Sequence, residues 1–238
     1  MANIKNDQPD SEVLTSGRIT ETPQSCRLIR GNSELMPALP ATGEALVLLQ
    51  ALLNEPCADL SAISETIRGD IGLTVHAFHL AAQDCNAMPS DALSISEIII
   101  HLGVNNLRTM TLQVPGLTDM AKTSATLEKC EGFWMRARLT ALIAEALASK
   151  RRIVSPDAAY LAGLLRHLGS LPQLLGWNGL DDRSPRACLP HISWELPAPL
   201  ADVVRGERNS CRTEFSYSLL QLADEADKHA FRLELSYH

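Results

Sequence analysis

The stretch FWMRARLTALIAEALASKRRIVSPDAAYLAGLLRHLG, residues 133–169, decides the fold class. Its apolar positions Leu139, Leu142, Ile143, Ala146 and Leu147 advance by three, one, three and one residues, the spacing of a wide buried stripe on a helix. Lys150, Arg151 and Arg152 follow, where cations complement the free carbonyls of a helix end. Ser155-Pro156-Asp157 then opens a second helix: serine can cap, proline is tolerated in the first turn, and aspartate suits the positive end. That helix is expected to run through Tyr160, Leu161, Leu164 and Leu165 to Gly169.

Helical patterns continue outward in both directions. Toward the N-terminus, Leu35 to Pro40 reads as an extended lead-in bounded by prolines. Ala45, Leu46, Leu48, Leu49, Leu52 and Leu53 share one face of the next helix. Asp59 caps a short helix carrying Leu60, Ile63 and Ile67 that Gly69 stops. Asp70 starts a third, burying Leu73, Ala77, Phe78, Leu80 and Ala81, and Met88-Pro89-Ser90 is a loop. Ser94-Ile95-Ser96-Glu97 fits a capping box, and Gly103 suits a left-handed turn between that helix and one through Val104, Leu107, Met110 and Leu112. Pro115-Gly116 breaks the pattern, and about ten mainly polar residues lead to Phe133. Beyond Gly169 the reading is a short helix from Leu171 to Trp177, a polar loop from 178 to 190, and helices near 198–205 and 214–229. In the last of these, Phe215, Leu219, Leu222, Ala223 and Ala226 share a side. Nothing alternates in twos, so the expected fold is all-α, in lobes of about 35–115 and 125–230, behind a flexible polar arm at 1–33.

Composition narrows the function classes. The chain has 238 residues, 45% of them hydrophobic, and 28 Asp and Glu against 21 Lys and Arg give a net charge of -7. Between Gly31 and Leu107 the one cation from Lys or Arg is Arg68, so this half is a poor surface for a polyanion. There is no apolar run long enough for a membrane span and no secretory leader, which implies a cytoplasmic protein. Six scattered cysteines without a CxxC pair imply reduced thiols rather than a disulfide frame or a zinc site. GxSxG, P-loop and dinucleotide-binding glycine patterns are absent.

The pieces MPALPATGEALVLLQALLNEPCADLSAISETI, DIGLTVHAFHLAA, SISEIIIHLGVNNLRTMTL, FWMRARLTALIAEALA, AAYLAGLLRHLGSL, ISWELPAPLADVV and LLQLADEAD, in this order, resemble the HDOD family. HDOD proteins are non-catalytic signalling relatives of the metal-dependent HD phosphohydrolases, and the resemblance covers about residues 35–230. In the catalytic relatives, an early histidine, an adjacent His-Asp pair and a later aspartate hold the metal that activates water. Set on this sequence, the early histidine falls at about Arg136 and the His-Asp pair on Arg166-His167. Only Asp224 survives of the set, and the histidines of a second metal have no counterpart in Val204 to Arg208. A guanidinium does not deprotonate to bind a metal. The resemblance therefore implies a multi-helix module without catalytic residues, metal or cofactor, acting on a protein partner rather than on nucleic acid or membrane. Arg136, Arg166, His167 and Asp224 mark its degenerate site. Either an Arg–carboxylate pair fills the vacated space, or both arginines point into solvent.

Other readings compete with this one. A residual phosphohydrolase or nucleotide-binding enzyme with a rearranged metal site would depend on His167 or Asp224, and a purely structural subunit would bury an exposed apolar patch in a homo-oligomer. His76 and His79 stand at HxxH spacing, but with no third ligand nearby they read as two half-exposed histidines, and His101 as an interaction with helix-end carbonyls. The helix-glycine-helix of Ser94 to Gln113 offers only Asn105, Asn106 and Arg108 to DNA, too little for a reading head. Lys150 to Arg152 reads as a solvated helix end. Trp177 and Trp194 read as core anchors flanking a polar connection.

Overall fold

The computed structural model describes residues 28–30, 35–57, 59–83, 93–177 and 194–236. Met88-Pro89-Ser90, the polar connection at 178–190, Cys26, Cys85, Cys188 and most of the expected arm lie outside the described residues. The end of that arm departs from expectation: β1 (Leu28–Arg30) pairs antiparallel with β2 (Leu35–Pro37), Ile29 opposite Met36. Two short apolar segments flank Gly31-Asn32-Ser33, a hairpin pattern too brief to register as alternation.

The lead-in after β2 is extended. The Ala41 amide donates to the Pro115 carbonyl (3.0 Å) and the Leu117 amide donates to the Ala41 carbonyl (2.8 Å). Four helices follow: α1 (Gly43–Asn54), α2 (Leu60–Arg68), α3 (Ile71–Gln83) and α4 (Ile95–Gln113). Asp59 caps α2 by accepting from the Ser61 amide (2.9 Å). Ser94 makes no side-chain cap to α4; Ser96 instead shares a hydrogen bond with Ser64 of α2 (2.9 Å). Gly103 sits inside α4 at φ 70°, ψ 163°, backbone that only glycine adopts readily, and kinks it. The apolar face of α1 is narrower than its sequence suggests: Leu49 and Leu53 are buried, whereas Leu48 is 52% exposed. On α4, Leu112 is likewise exposed.

The second group comprises α5 (Leu117–Met120), α6 (Ser124–Arg151), α7 (Pro156–Leu165), α8 (Leu171–Leu174), α9 (Ala198–Arg205) and α10 (Glu214–Ser236). α6 starts nine residues before Phe133, where the Thr123 hydroxyl accepts from the Thr126 amide (3.1 Å). Its buried face is also rotated from the leucine stripe and consists of Cys130, Trp134, Ala137, Thr140, Ala141, Ala144 and Ala148. Close approach by α7 explains the small residues: a Cβ on Gly163 would stand 2.8 Å from the Ala141 Cα and 2.9 Å from the Thr140 carbonyl oxygen. Leu139, Ile143 and Leu147 are half-buried, while Leu142 and Ala146 face outward. Ser155 caps α7 by accepting from the Ala158 amide (3.2 Å). On α10, Leu219, Leu222, Ala223 and Ala226 are buried, and Phe215 is 38% exposed.

Helices α1–α4 pack on one another, as do α6, α7, α9 and α10, and one continuous hydrophobic core joins the two groups. Two polar hubs pin the junction. Asp70, fully buried, accepts from the Thr42 amide (2.9 Å) and hydroxyl (2.9 Å), the Leu73 amide (3.0 Å) and the indole N–H of Trp134 on α6 (3.1 Å). Burial pushes its carboxyl upward, and these donors oppose the shift. Beside it, Arg68 of α2 pairs with Glu145 of α6 (2.5 Å) and lies 3.8 Å over the ring of Tyr160 on α7.

Candidate functional site

The four residues singled out from the sequence converge where the end of α7 and the middle of α6 meet α10. Arg166 follows the last turn of α7, and its Nε donates to Asp224 Oδ1 at 2.6 Å. The arginine side chain is 14% exposed and the aspartate 31%, so the pair is largely withdrawn from water. Gly206, closing α9 in the left-handed region (φ 69°), makes room for it: a Cβ there would come within 2.7 Å of Arg166 Nη1. Of the two arrangements open to Arg166, the structure shows the ion pair rather than a solvent-pointing side chain.

Arg136 and His167 meet at a carboxylate the sequence reading missed. Both Nε and Nη2 of Arg136 donate to Asp227 Oδ1 (3.1 and 2.9 Å), and His167 Nε2 lies 3.0 Å from the same oxygen. Glu234 adds a longer contact to Arg136 at 3.6 Å, and Phe231 lies under its guanidinium at 5.3 Å. Burial alone would raise the Asp227 carboxyl, but His167 and Arg136 outweigh it and hold it at about 2. Asp227 stands three residues beyond Asp224, on the same side of α10, and that spacing is the signal that could have found it.

These residues do not suit a metal. Two guanidiniums stand at ligand positions, both carboxylates are already engaged by cations, and His167 is turned onto Asp227. Among the described residues no group of three His, Cys, Asp or Glu converges as a metal site. What the arrangement does is lock α6, the α7 end and α10 together through charge-assisted bonds.

The remaining candidates resolve differently. His76 is buried rather than half-exposed; its Nε2 donates to the Leu39 carbonyl (3.0 Å), and burial lowers its pKa to about 4. His79 turns the other way, its Nδ1 2.9 Å from Glu195, a residue at φ 52°. HxxH is thus two structural contacts. Arg108 donates to the Leu53 carbonyl at the end of α1 (3.0 Å from Nε), joining α4 to α1. Arg151 forms a bidentate pair with Glu225 of α10 (2.8 and 2.5 Å) rather than simply a solvated end. Trp194 is buried and Trp177 packs half-buried against the core.

The HDOD domain model matches residues 37–176, more than half of the chain. The chain belongs to the HDOD family. Two crystal structures of the MmoQ response regulator from Methylococcus capsulatus (Bath) share the HDOD chain's fold. One superposes with a TM-score of 0.59 at 17% identity, covering 81% of this chain and 84% of that one. The other also gives 0.59, at 16% identity, covering 82% and 87%. An uncharacterised protein of Treponema pallidum (strain Nichols) is 21% identical in a 232-position alignment that covers 87% of the HDOD chain and 44% of the relative. The chain thus spans under half the length of that relative. No helix among the described residues is long and apolar enough to cross a membrane.

Proposed function

We propose that this HDOD protein is a non-catalytic regulatory module that works by binding another protein in a signalling pathway. The observation that carries the proposal is the closed set of contacts, Arg166 paired with Asp224 and Arg136 paired with Asp227 beside His167, standing where a hydrolase would need open ligands. The name of its fold neighbour, a response regulator, supports the signalling half.

The test has two arms. Purified protein is incubated with Mn, Fe, Zn or Mg, desalted, and assayed for bound metal and for turnover of phosphomonoesters and phosphodiesters. The expectation is substoichiometric metal and no turnover. One equivalent of retained metal, with ester hydrolysis lost in His167→Ala or Asp224→Asn, would establish the hydrolase instead. In the second arm, native protein is isolated at its natural abundance and its companions identified; a protein recovered in constant ratio supports the module.

A further inference from the structure

Trp194, Glu195, Leu196 and Pro197 lead into α9 without regular structure. Glu195 stands at φ 52°, in the left-handed region, where any residue other than glycine is strained. Among the described residues the other non-glycine in this region is Arg152, the left-handed cap of α6, whereas Glu195 ends no helix. Its neighbour Trp194 is 7% exposed, yet the indole N–H has no acceptor. The Glu195 carboxylate is unrelieved as well: Oε2 is buried and receives no well-directed hydrogen bond, although His79 Nδ1 lies 2.9 Å away. A strained backbone, an unmet donor and an unmet acceptor thus fall on two consecutive residues.

Little holds this segment down. The lead into α1 is bonded through Ala41 to Pro115 and Leu117, but among the described residues no backbone hydrogen bond ties Trp194, Glu195 or Leu196 to either helical group. The polar tie is His79, near the end of α3, whose Nε2 lies 2.7 Å from the Gln83 amide nitrogen and whose Nδ1 is thereby turned to Glu195. What remains is the packing of Trp194 and Leu196 on the core. A stretch so loaded and so lightly tied opens before the helices around it do. We infer that residues 194–197 are a releasable strap between the two helical groups, clasped by His79 and Glu195, whose opening uncovers Trp194 while the helices stay folded. A cation competing for Glu195, or an anion competing for His79, shifts the strap toward its open form.

Hydrogen exchange at the three indole N–H groups of the whole, nitrogen-15-labelled chain tests this, the signals being assigned from single Trp→Phe variants. The Trp194 indole is expected to exchange at least about a hundredfold faster than that of Trp134, which is bonded to Asp70 across the two groups. Low urea is expected to leave the Trp194 rate unchanged, the mark of a local opening, and to accelerate Trp134. His79→Gln and Glu195→Gln are each expected to speed Trp194 exchange about tenfold without moving Trp134, and the double variant to add no more than about twofold, because both changes undo one contact. Trp194 exchanging at the rate and with the urea dependence of Trp134, or at an unaltered rate in His79→Gln, would overturn the inference.

Discussion

Asp227 shows how one carboxylate sets an acid response. Its folded pKa, about 2, lies below the ordinary carboxylate value, so the unfolded chain binds its proton first. Its contribution, of order 2 kcal/mol, is full above pH of about 4 and is lost as pH falls toward 2. Urea unfolding across that range is expected to show a flatter acid limb in Asp227→Asn. His76 acts at higher pH with the same sign. Burial holds it at about 4, below its usual 6.5, so the unfolded state gains a proton first and stability falls as pH drops from about 6.5 to 4. His76→Gln is expected to remove most of that slope in the same titration. Asp224→Asn weakens the Arg166 pair and is expected to cost about 1 kcal/mol, read as a lower urea midpoint with unchanged m-value. At this scale the sequence led to Arg166, His167, Arg136 and Asp224 through a pattern of lost ligands. Asp227 escaped because it occupies no ligand position in that pattern, and only its spacing along α10 ties it to the others.

Helices show where local pattern suffices and where packing decides. Asp59 and Ser155 perform the capping their sequences announce, and Gly103 breaks α4 where a left-handed backbone was expected. The Ser94 capping box does not form, and the polar contact made at this helix start is that of Ser96 with Ser64, which no local window contains. The face of α6 could not be chosen from hydrophobicity, because its leucines lie on the flank and its alanines go inside, and that preference is set by Gly163 on another helix. Two glycines make the contrast measurable. Gly163→Ala drives a methyl into the backbone of α6 and is expected to lower stability by about 2 kcal/mol. Gly132→Ala has open space around it and is expected to stabilise the protein by up to about 1 kcal/mol. Thermal melts compare the two.

For the molecule as a whole, the junction between α1–α4 and the later helices depends on a few buried polar contacts as well as on apolar packing. Replacing Asp70 by alanine leaves the Thr42 and Leu73 amides and the Trp134 indole N–H without their acceptor and is expected to cost about 3–5 kcal/mol, measured by chemical denaturation. Arg68→Lys is expected to be destabilising as well, since an ammonium cannot both lie flat over Tyr160 and reach Glu145 as the guanidinium does. None of these long-range partnerships is visible in a single sequence: Arg68 and Glu145, or Asp70 and Trp134, stand more than sixty residues apart, and only the fold brings them together.

The Asp70–Trp134 bond also gives the molecule an optical gauge of its own. An indole whose N–H is tied to a carboxylate fluoresces differently from one released to water, and this indole spans the seam between the two helical groups. A ligand that pries them apart would therefore announce itself as a change in ultraviolet emission, with no dye attached, and Trp134→Phe would silence that signal while leaving the other two tryptophans to report as before.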